Sequence, residues 1–392
     1  MEISLFLQST LVKTEITMIP KIDTIPLFQL ASGDYLSIKV YKFSGIKPGK
    51  KVYLQANLHG NEIVGNAVIH QLIEFLMTLE QEVLTGEIWL VPVCNPLATN
   101  QRSHQFATGR FNAYDGKDWN RIYWDYEKVC QDLEEFAQSQ LNLHPDIIKQ
   151  NYKDKIKTSF EQIQTKIDTP SSVQLTDKYR YKVQSLCLDA DYLIDLHSNT
   201  NYGLEYLYYF RNREKSARLF LLEHSIMFDD YDGDAFDEAF MKPWLALENA
   251  LSKLGKQVKF DVEAYTLELG TGMEMNPNSV SKGVRGVKNY LVQKGILNIE
   301  SPLPEDLMQL NMSSRPLSQV EKYWSPVGGM VQSRVALGTS IQQGDILYQV
   351  LSFDKSEEFP TVKNVHSDRG GLVFHVSINQ SVNEGEFVLG IM

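Results

Sequence analysis

The sequence predicts an α/β fold, a mixed sheet flanked by helices, followed by a smaller all-β barrel or sandwich. Three observations carry this. Apolar runs of strand character alternate with an amphipathic helical run between residues 35 and 95. Strand-like runs return at residues 191–197 and 262–269, each ending in a polar corner. After Pro302 and Pro304, short strand-like runs recur between glycine turns at Gly328-Gly329, Gly338, Gly344-Asp345, Gly370-Gly371 and Gly385.

In chain order, residues 35–43 read as a strand and Gly45 to Lys50, with Pro48-Gly49, as a turn. Residues 51–58 form a second strand. Residues 63–79 carry Val64, Ala67, Val68, Leu72, Phe75, Leu76 and Leu79 at helical spacing. A buried strand at 87–94 is halted by Asn95-Pro96. Residues 97–124 lack periodicity but are rich in Arg, Asn, Asp, His and aromatics, and a long polar loop in a compact domain is usually functional or disordered. Residues 125–187 turn rich in Lys, Gln, Glu and Asp, with Pro145 and Pro170 as the prolines; this predicts an inserted set of two or three long helices, either a roof or a solvated helical pair. Beyond the 191–197 strand come a strand region at 220–228, a helix at 242–254, the 262–269 strand ending in Gly270-Thr271-Gly272, and a helix at 281–294. The expected domains are 1–310 and 311–392, with the junction between residues 305 and 320. No internal repeat is evident.

The chain has 392 residues, 43% hydrophobic and 22% charged, enough to bury more than one core. A net charge of −11 argues against nucleic acid or an anionic membrane as partner, while leaving room for a small anionic substrate in a local arginine pocket. Cys94, Cys130 and Cys187 are odd in number and widely spaced, which is neither a disulfide framework nor a cysteine metal site. The N-terminus has Glu2 early and no basic flank before an apolar stretch, so no signal peptide is expected, and no apolar run is long enough to span a bilayer. A cytoplasmic protein is expected, as a monomer or a homo-oligomer.

His59-Gly60-Asn61-Glu62 is the most informative stretch. It sits between the 51–58 strand and the 63–79 helix, at the kind of corner where open α/β sheets keep their ligands. A His and a Glu there can converge on one zinc ion, with His197, at the end of another strand, as third ligand. Two imidazoles and a carboxylate leave a position for water, an arrangement suited to catalysis. Asp195 shares a strand face with His197 and could orient it. Glu268 ends an otherwise buried strand, a costly place for a carboxylate without a task, and could act as general base. Glu263, on the opposite face, and Glu274 are its rivals. Arg110, Asn120 and Arg121 lie in the polar loop; an arginine fork suits a carboxylate or a developing oxyanion. Taken singly, each has a plain structural reading: a hydrogen-bonded loop histidine, a strand-end acid, a surface arginine.

Taken together and in this order, His59-Gly60-Asn61-Glu62, Asn95-Pro96, Arg110 with Asp115-Gly116, Asn120-Arg121, Asp195-Leu196-His197 and Thr266-Leu267-Glu268 resemble the succinylglutamate desuccinylase/aspartoacylase family, of zinc carboxypeptidase-like fold. The resemblance spans roughly residues 35–295. It implies that His59, Glu62 and His197 hold one Zn2+, that Glu268 is the general base, that Arg110 polarises the scissile carbonyl, and that Asn120 and Arg121 grip the substrate carboxylate. The implied activity is hydrolysis of the amide of an N-acyl amino acid or related amine. Trp119 and Trp124 depart from the family pattern around Asn120-Arg121, which bears on the pocket and so on the substrate. The run from Ser325 to Leu347 resembles a biotinyl/lipoyl-type β-fold, without a full attachment motif around Lys355; its expected role is to pack on the catalytic domain and narrow its entrance. Two rivals remain: a metallocarboxypeptidase trimming short peptides, and a non-catalytic binding protein on the same fold.

Overall fold

A computed structural model describes residues 17–169, 174–300 and 311–392. Glu2, Pro170, Pro302, Pro304 and the 305–310 part of the expected junction lie outside the described residues.

Nine strands form one mixed sheet: β1 (Lys21–Gln29), β2 (Tyr35–Ser44), β3 (Lys47–Ala56), β4 (Thr85–Val91), β5 (Tyr192–Asn199), β6 (Glu205–Phe210), β7 (His224–Phe228), β8 (Glu263–Thr271) and β9 (Ser313–Pro316), in the spatial order β1-β2-β4-β3-β5-β8-β6-β7-β9. The central neighbours β4, β3, β5 and β8 run parallel. β1, β2 and β6 pair antiparallel with their neighbours β2, β4 and β8. β1 was not assigned from sequence because Pro26 interrupts it. As the outermost strand it tolerates a residue without an amide N–H.

One face of the sheet is covered by α1 (Val64–Met77) and, from later in the chain, Pro277–Gln293. Val68, Leu72 and Leu76 of α1 meet Leu54, Ile194 and Leu267 of the strands there. The other face is covered by α2 (Pro145–Asp168), α3 (Leu175–Ser185) and α4 (Phe236–Lys253). The helices of residues 125–187 are therefore neither roof nor solvated pair. Their aromatics build the second core: Tyr152 sits edge-on to Trp244 of α4, with ring centroids 5.3 Å apart, and Phe160 edge-on to Trp124 at 5.4 Å. The polar composition misled because charged residues flank one buried line of Ile148, Tyr152, Ile156 and Phe160 along α2. Trp119 and Trp124 belong to this core too, so their bulk fills protein rather than a substrate pocket.

α4 begins six residues before the sequence signal at Lys242, because it runs straight through Pro243. Proline costs a helix one amide donor and a clash. Here Trp244, Leu247 and Leu251 are buried around it, and the Pro243 carbonyl accepts from Tyr152 Oη at 3.2 Å. The last helix, α5 (Pro277–Gln293), also starts early, with Pro277 in its first turn and the Asn276 side chain accepting from the amide of Asn278 at 2.9 Å.

The C-terminal strands are β10 (Glu321–Trp324), β11 (Gly329–Gln332), β12 (Ser340–Ile341), β13 (Ile346–Ser352), β14 (Thr361–His366), β15 (Gly371–Val376), β16 (Ser381–Val382) and β17 (Phe387–Ile391). They form two four-stranded sheets, β10-β17-β15-β12 and β14-β13-β11-β16, around a core that includes Val331, Leu347, Val350, Val373 and Leu389. Because β9 closes the large sheet, the change of sheet falls between Pro316 and Glu321 rather than at residue 310. The short strand Tyr202–Gly203, between β5 and β6, pairs with β15 and so links the strands of the large sheet to the C-terminal ones.

Candidate metal centre and active site

The corner after β3 is held by its own polar side chains. Asn57 adopts a left-handed conformation (φ 65°) and its Nδ2 donates to the carbonyls of His59, Gly60 and Glu62, each at 3.2 Å. Asn95 Nδ2 donates to the Leu58 carbonyl at 2.9 Å while its Oδ1 accepts from the Ala98 amide, capping the short helix Pro96–Asn100. Gly60 lies against that helix. A Cβ on it would come within 2.0 Å of the Ala98 carbonyl, so only glycine fits between His59 and Asn61.

This corner brings His59 and Glu62 to the end of β5, where His197 projects. His59 Nδ1 lies 2.9 Å from Glu62 Oε1 and His197 Nδ1 lies 2.8 Å from Glu62 Oε2. One donor atom from each of the three residues falls within 4.8 Å of the others, and all three are buried. The other nitrogen of each ring faces a further carboxylate. His59 Nε2 is 2.9 Å from Asp118 Oδ1. His197 Nε2 is 3.1 Å from Asp195 Oδ2, close enough for electrostatic contact but off hydrogen-bond geometry. Gln55 Nε2 steadies Asp195 from β3 at 3.1 Å.

Chemically, this donor set fits a divalent cation. A neutral imidazole with its proton on Nε2, directed at Asp118 or Asp195, presents a lone pair at Nδ1. Both Nδ1 atoms and both Glu62 oxygens then face one another, an arrangement of acceptors that a cation relieves. Nitrogen and carboxylate donors with carboxylate partners behind the imidazoles are what zinc takes. Burial pushes Glu62 up, but the His59 and His197 rings hold its carboxyl well below the usual range. Burial also opposes a charge on His197, and Asp195 and Glu62 more than offset it, raising His197 well above an ordinary histidine. Asp118, pushed up by burial, is brought far down by its bond to His59 and by Arg110.

Glu268 and Glu263 separate as strand alternation requires. Glu263 points to the α5 side, where Tyr290 Oη (2.7 Å), Ser216 Oγ (2.8 Å) and Lys294 Nζ (3.0 Å) satisfy it. Glu274 is exposed in the turn after β8. Glu268 is the register partner of His197 on one side and Tyr206 on the other. Its Oε2 is buried without a hydrogen-bond partner. Burial first, and the Glu62 charge second, raise it to about 7.

Arg110 sits at the rim, 3.2 Å from Asp118 Oδ2, 3.6 Å from Glu62 Oε1 and 3.4 Å from Thr200 Oγ1. Asn120 spends its Oδ1 on the Phe236 amide at the start of α4 (2.9 Å), leaving only Nδ2 for a ligand. Arg121 is exposed, with Nη1 on the Asn120 carbonyl at 2.6 Å. The structure thus gathers His59, Glu62, His197, Glu268 and Arg110, and keeps Asn120 and Arg121 on the adjoining loop. Sequence reasoning passed over Asp118, which stands two residues before Asn120 with no spacing signal of its own. It also passed over Thr200, whose Oγ1 is 3.4 Å from Glu62 Oε1.

Residues 48–293 match the succinylglutamate desuccinylase/aspartoacylase catalytic domain. The chain belongs to that family. Over 210 residues it is 23% identical to the N-alpha-acetyl-L-2,4-diaminobutyric acid deacetylase of Halomonas elongata, and the match spans about half of each protein, 51% of this chain and 55% of the relative. The fold superposes on a family protein of Shewanella amazonensis SB2B with a TM-score of 0.82 at 29% identity, covering 95% of this chain and 98% of the other. It also resembles the ectoine utilization protein EutE (DoeB) of Ruegeria pomeroyi, TM-score 0.63 at 18% identity, over 96% and 99% of the two chains, a likeness of fold. The fold is thus shared along almost the whole length of the chain. No described helix is long and apolar enough to cross a membrane.

Proposed function

We propose that this chain is a zinc-dependent amidohydrolase that removes the acyl group from an N-acyl amino acid or a related N-acyl amine. The observation that carries the proposal is the convergence of His59, Glu62 and His197 within 4.8 Å, with Glu268 paired in register beside His197. The family and its deacetylase relative support the reaction class. His59, Glu62 and His197 would hold the ion; bound there, zinc supplies a Lewis acid that polarises a carbonyl and acidifies water.

The protein's own groups do the rest. Glu268, with a carboxyl near pKa 7, accepts the proton released as water adds to the amide carbon and returns it to the departing amine nitrogen. Arg110 faces the oxygen on which negative charge develops. Arg121, with the free Nδ2 of Asn120, binds the substrate carboxylate and fixes which amide reaches Glu268. Asp118 and Asp195 hold the two imidazoles in their metal-binding tautomer. The C-terminal domain packs beside the site and narrows its approach. The three unpaired thiols, Cys94, Cys130 and Cys187, fit a reducing cytoplasm.

The test is metal content of the purified protein coupled to hydrolysis of N-acetyl, N-succinyl and dipeptide substrates. Zinc near one per chain with turnover of N-acyl amino acids supports the proposal. Preference for dipeptides selects a metallocarboxypeptidase instead, and a metal-free chain with no turnover selects a binding protein.

A further inference from the structure

Between the strand Tyr202–Gly203 and the loop that joins β11 to β12 lies an open cleft of about 260 Å3. It is lined by apolar Val331, Leu337 and Val376, by Tyr202 and by Arg334; no lining residue is acidic, and none is a metal donor. The Tyr202 wall is fixed in place. Tyr202 pairs in register with Val376 of β15, and the side chain of its neighbour Asn201 accepts from the Ile378 amide at 3.2 Å. The Tyr202 ring itself is exposed beside the arginine.

Arg334 Nη1 donates to the Ser377 carbonyl at 2.7 Å, and among the described residues no other hydrogen bond and no ion pair engages the guanidinium. Burial lowers its pKa and Tyr202 acts against that, with no carboxylate contributing. Arginine keeps its charge at neutral pH regardless. The turn that presents it is in an uphill form: Ser333 has a φ of 51°, the left-handed conformation usually left to glycine. A cation partly removed from water, held by one bond and unpaired, leaves most of its fork for an anion. The cleft at the start of β3 is the contrast. There Lys51 and Lys153 share the lining with Asp189 and Asp191, and the opposite charges satisfy one another.

We infer that this cleft is a binding site for a small organic carboxylate with a flat apolar body, its carboxylate on the Arg334 fork and its body against the Tyr202 ring and the valine and leucine side chains. Size sets the limit. A closed cavity of about 150 Å3 takes one benzene ring, so the cleft has room for a ring with a carboxylate and little more. Tyr202 comes from between β5 and β6, whereas Arg334 belongs to the C-terminal strands. One occupant therefore bridges the two and stabilises their docked arrangement. The inference is independent of the reaction at the metal donors.

The test uses the full, metal-free chain with benzoate, acetate and benzyl alcohol as probes, followed by calorimetry and by melting temperature. Benzoate is expected to bind once per chain in the millimolar range and to raise the melting temperature. Acetate, which lacks the ring, and benzyl alcohol, which lacks the charge, bind about tenfold more weakly or worse. Arg334→Gln weakens benzoate by about tenfold or more, the loss of a charge-assisted contact, and Arg334→Lys by less. Arg121→Gln, on the loop beside the metal donors, leaves benzoate binding unchanged. Tyr202→Leu keeps the Arg334 bond to Ser377 and weakens benzoate several-fold without affecting acetate, so the inference stays testable if Arg334→Gln fails to fold. Benzoate binding that ignores Arg334→Gln or Tyr202→Leu, binding lost in Arg121→Gln instead, equal affinity for benzoate and acetate, or no binding in the millimolar range overturns the inference.

Discussion

Glu268 and His197 are directly paired residues on adjacent parallel strands, so their side chains leave the sheet on the same face. That pairing puts an unpartnered carboxylate beside the proposed metal donors and sets up two opposite consequences for Glu268→Gln. Turnover is expected to fall about 10²–10⁴-fold, the usual worth of a general base, with zinc content unchanged. Stability is expected to move the other way. The folded pKa of about 7 lies above the ordinary carboxylate value of 4.5, so the native state disfavours the ionised form. Below pH 4.5 both folded and unfolded chains are protonated and the cost vanishes; it grows through pH 4.5–7 and is fully present above. Melting of metal-free protein should show Glu268→Gln more stable than wild type at pH 8, by roughly 1–3 kcal/mol, and equal to it at pH 4. Equal melting curves at both pH values would count against a raised Glu268.

Asp118 is the partner of His59 at 2.9 Å and of Arg110 at 3.2 Å. Asp118→Asn keeps the shape but replaces the carboxylate that fixes the His59 tautomer. Zinc affinity, read by competition with a chromophoric chelator, should weaken about 10–100-fold. Unaltered affinity would show that His59 is oriented by its other neighbours.

Gly60→Ala tests the corner itself. The added methyl would meet backbone of the Pro96–Asn100 helix, which cannot yield as a flexible side chain would. The chain must shift at the residue between the two donors His59 and Glu62. We expect a loss of roughly 2–4 kcal/mol in chemical denaturation and a zinc stoichiometry well below that of wild type. Gly116→Ala is the control, since a Cβ there meets nothing within 4 Å, although its φ of 73° carries a small strain of its own.

How much of this was legible beforehand follows from range. The α/β order, α1, β3, β5 and β8 were readable because apolar periodicity is local. The His59–Glu62 pair was readable because three-residue spacing at a strand end is local too. Asp118 and Thr200 were not, because their partners are 59 and 138 residues away and neither stands in a periodic pattern. Residues 125–187 were misjudged for a different reason. Counting charges along α2 hides the single buried line of Ile148, Tyr152, Ile156 and Phe160 that seals the sheet. A helix read from Lys242 places Pro243 in its first turn, where local rules allow it; tertiary packing carries α4 six residues further back, to Phe236.

Arg213 shows how the strand under Glu268 is held. It is fully buried and forks onto Glu248 of α4, Nη1 to Oε2 at 3.0 Å and Nη2 to Oε1 at 2.6 Å, with further bonds to the Phe260 and Val262 carbonyls at 3.2 and 3.3 Å. Those carbonyls belong to the segment that enters β8. Arg213→Met removes the cation and strands the Glu248 charge in the core, which should cost about 3–5 kcal/mol. Adding Glu248→Met removes the stranded charge, although it also takes the partner of the Phe260 amide. The double variant is therefore expected to be more stable than Arg213→Met alone in urea denaturation. If it is less stable, the pair serves β8 through Glu248's bond to Phe260 more than through the ion pair. In either case the surviving folded fraction should keep its kcat, because Arg213 lies on the far side of the strand entry from Glu268's end and touches none of the metal donors.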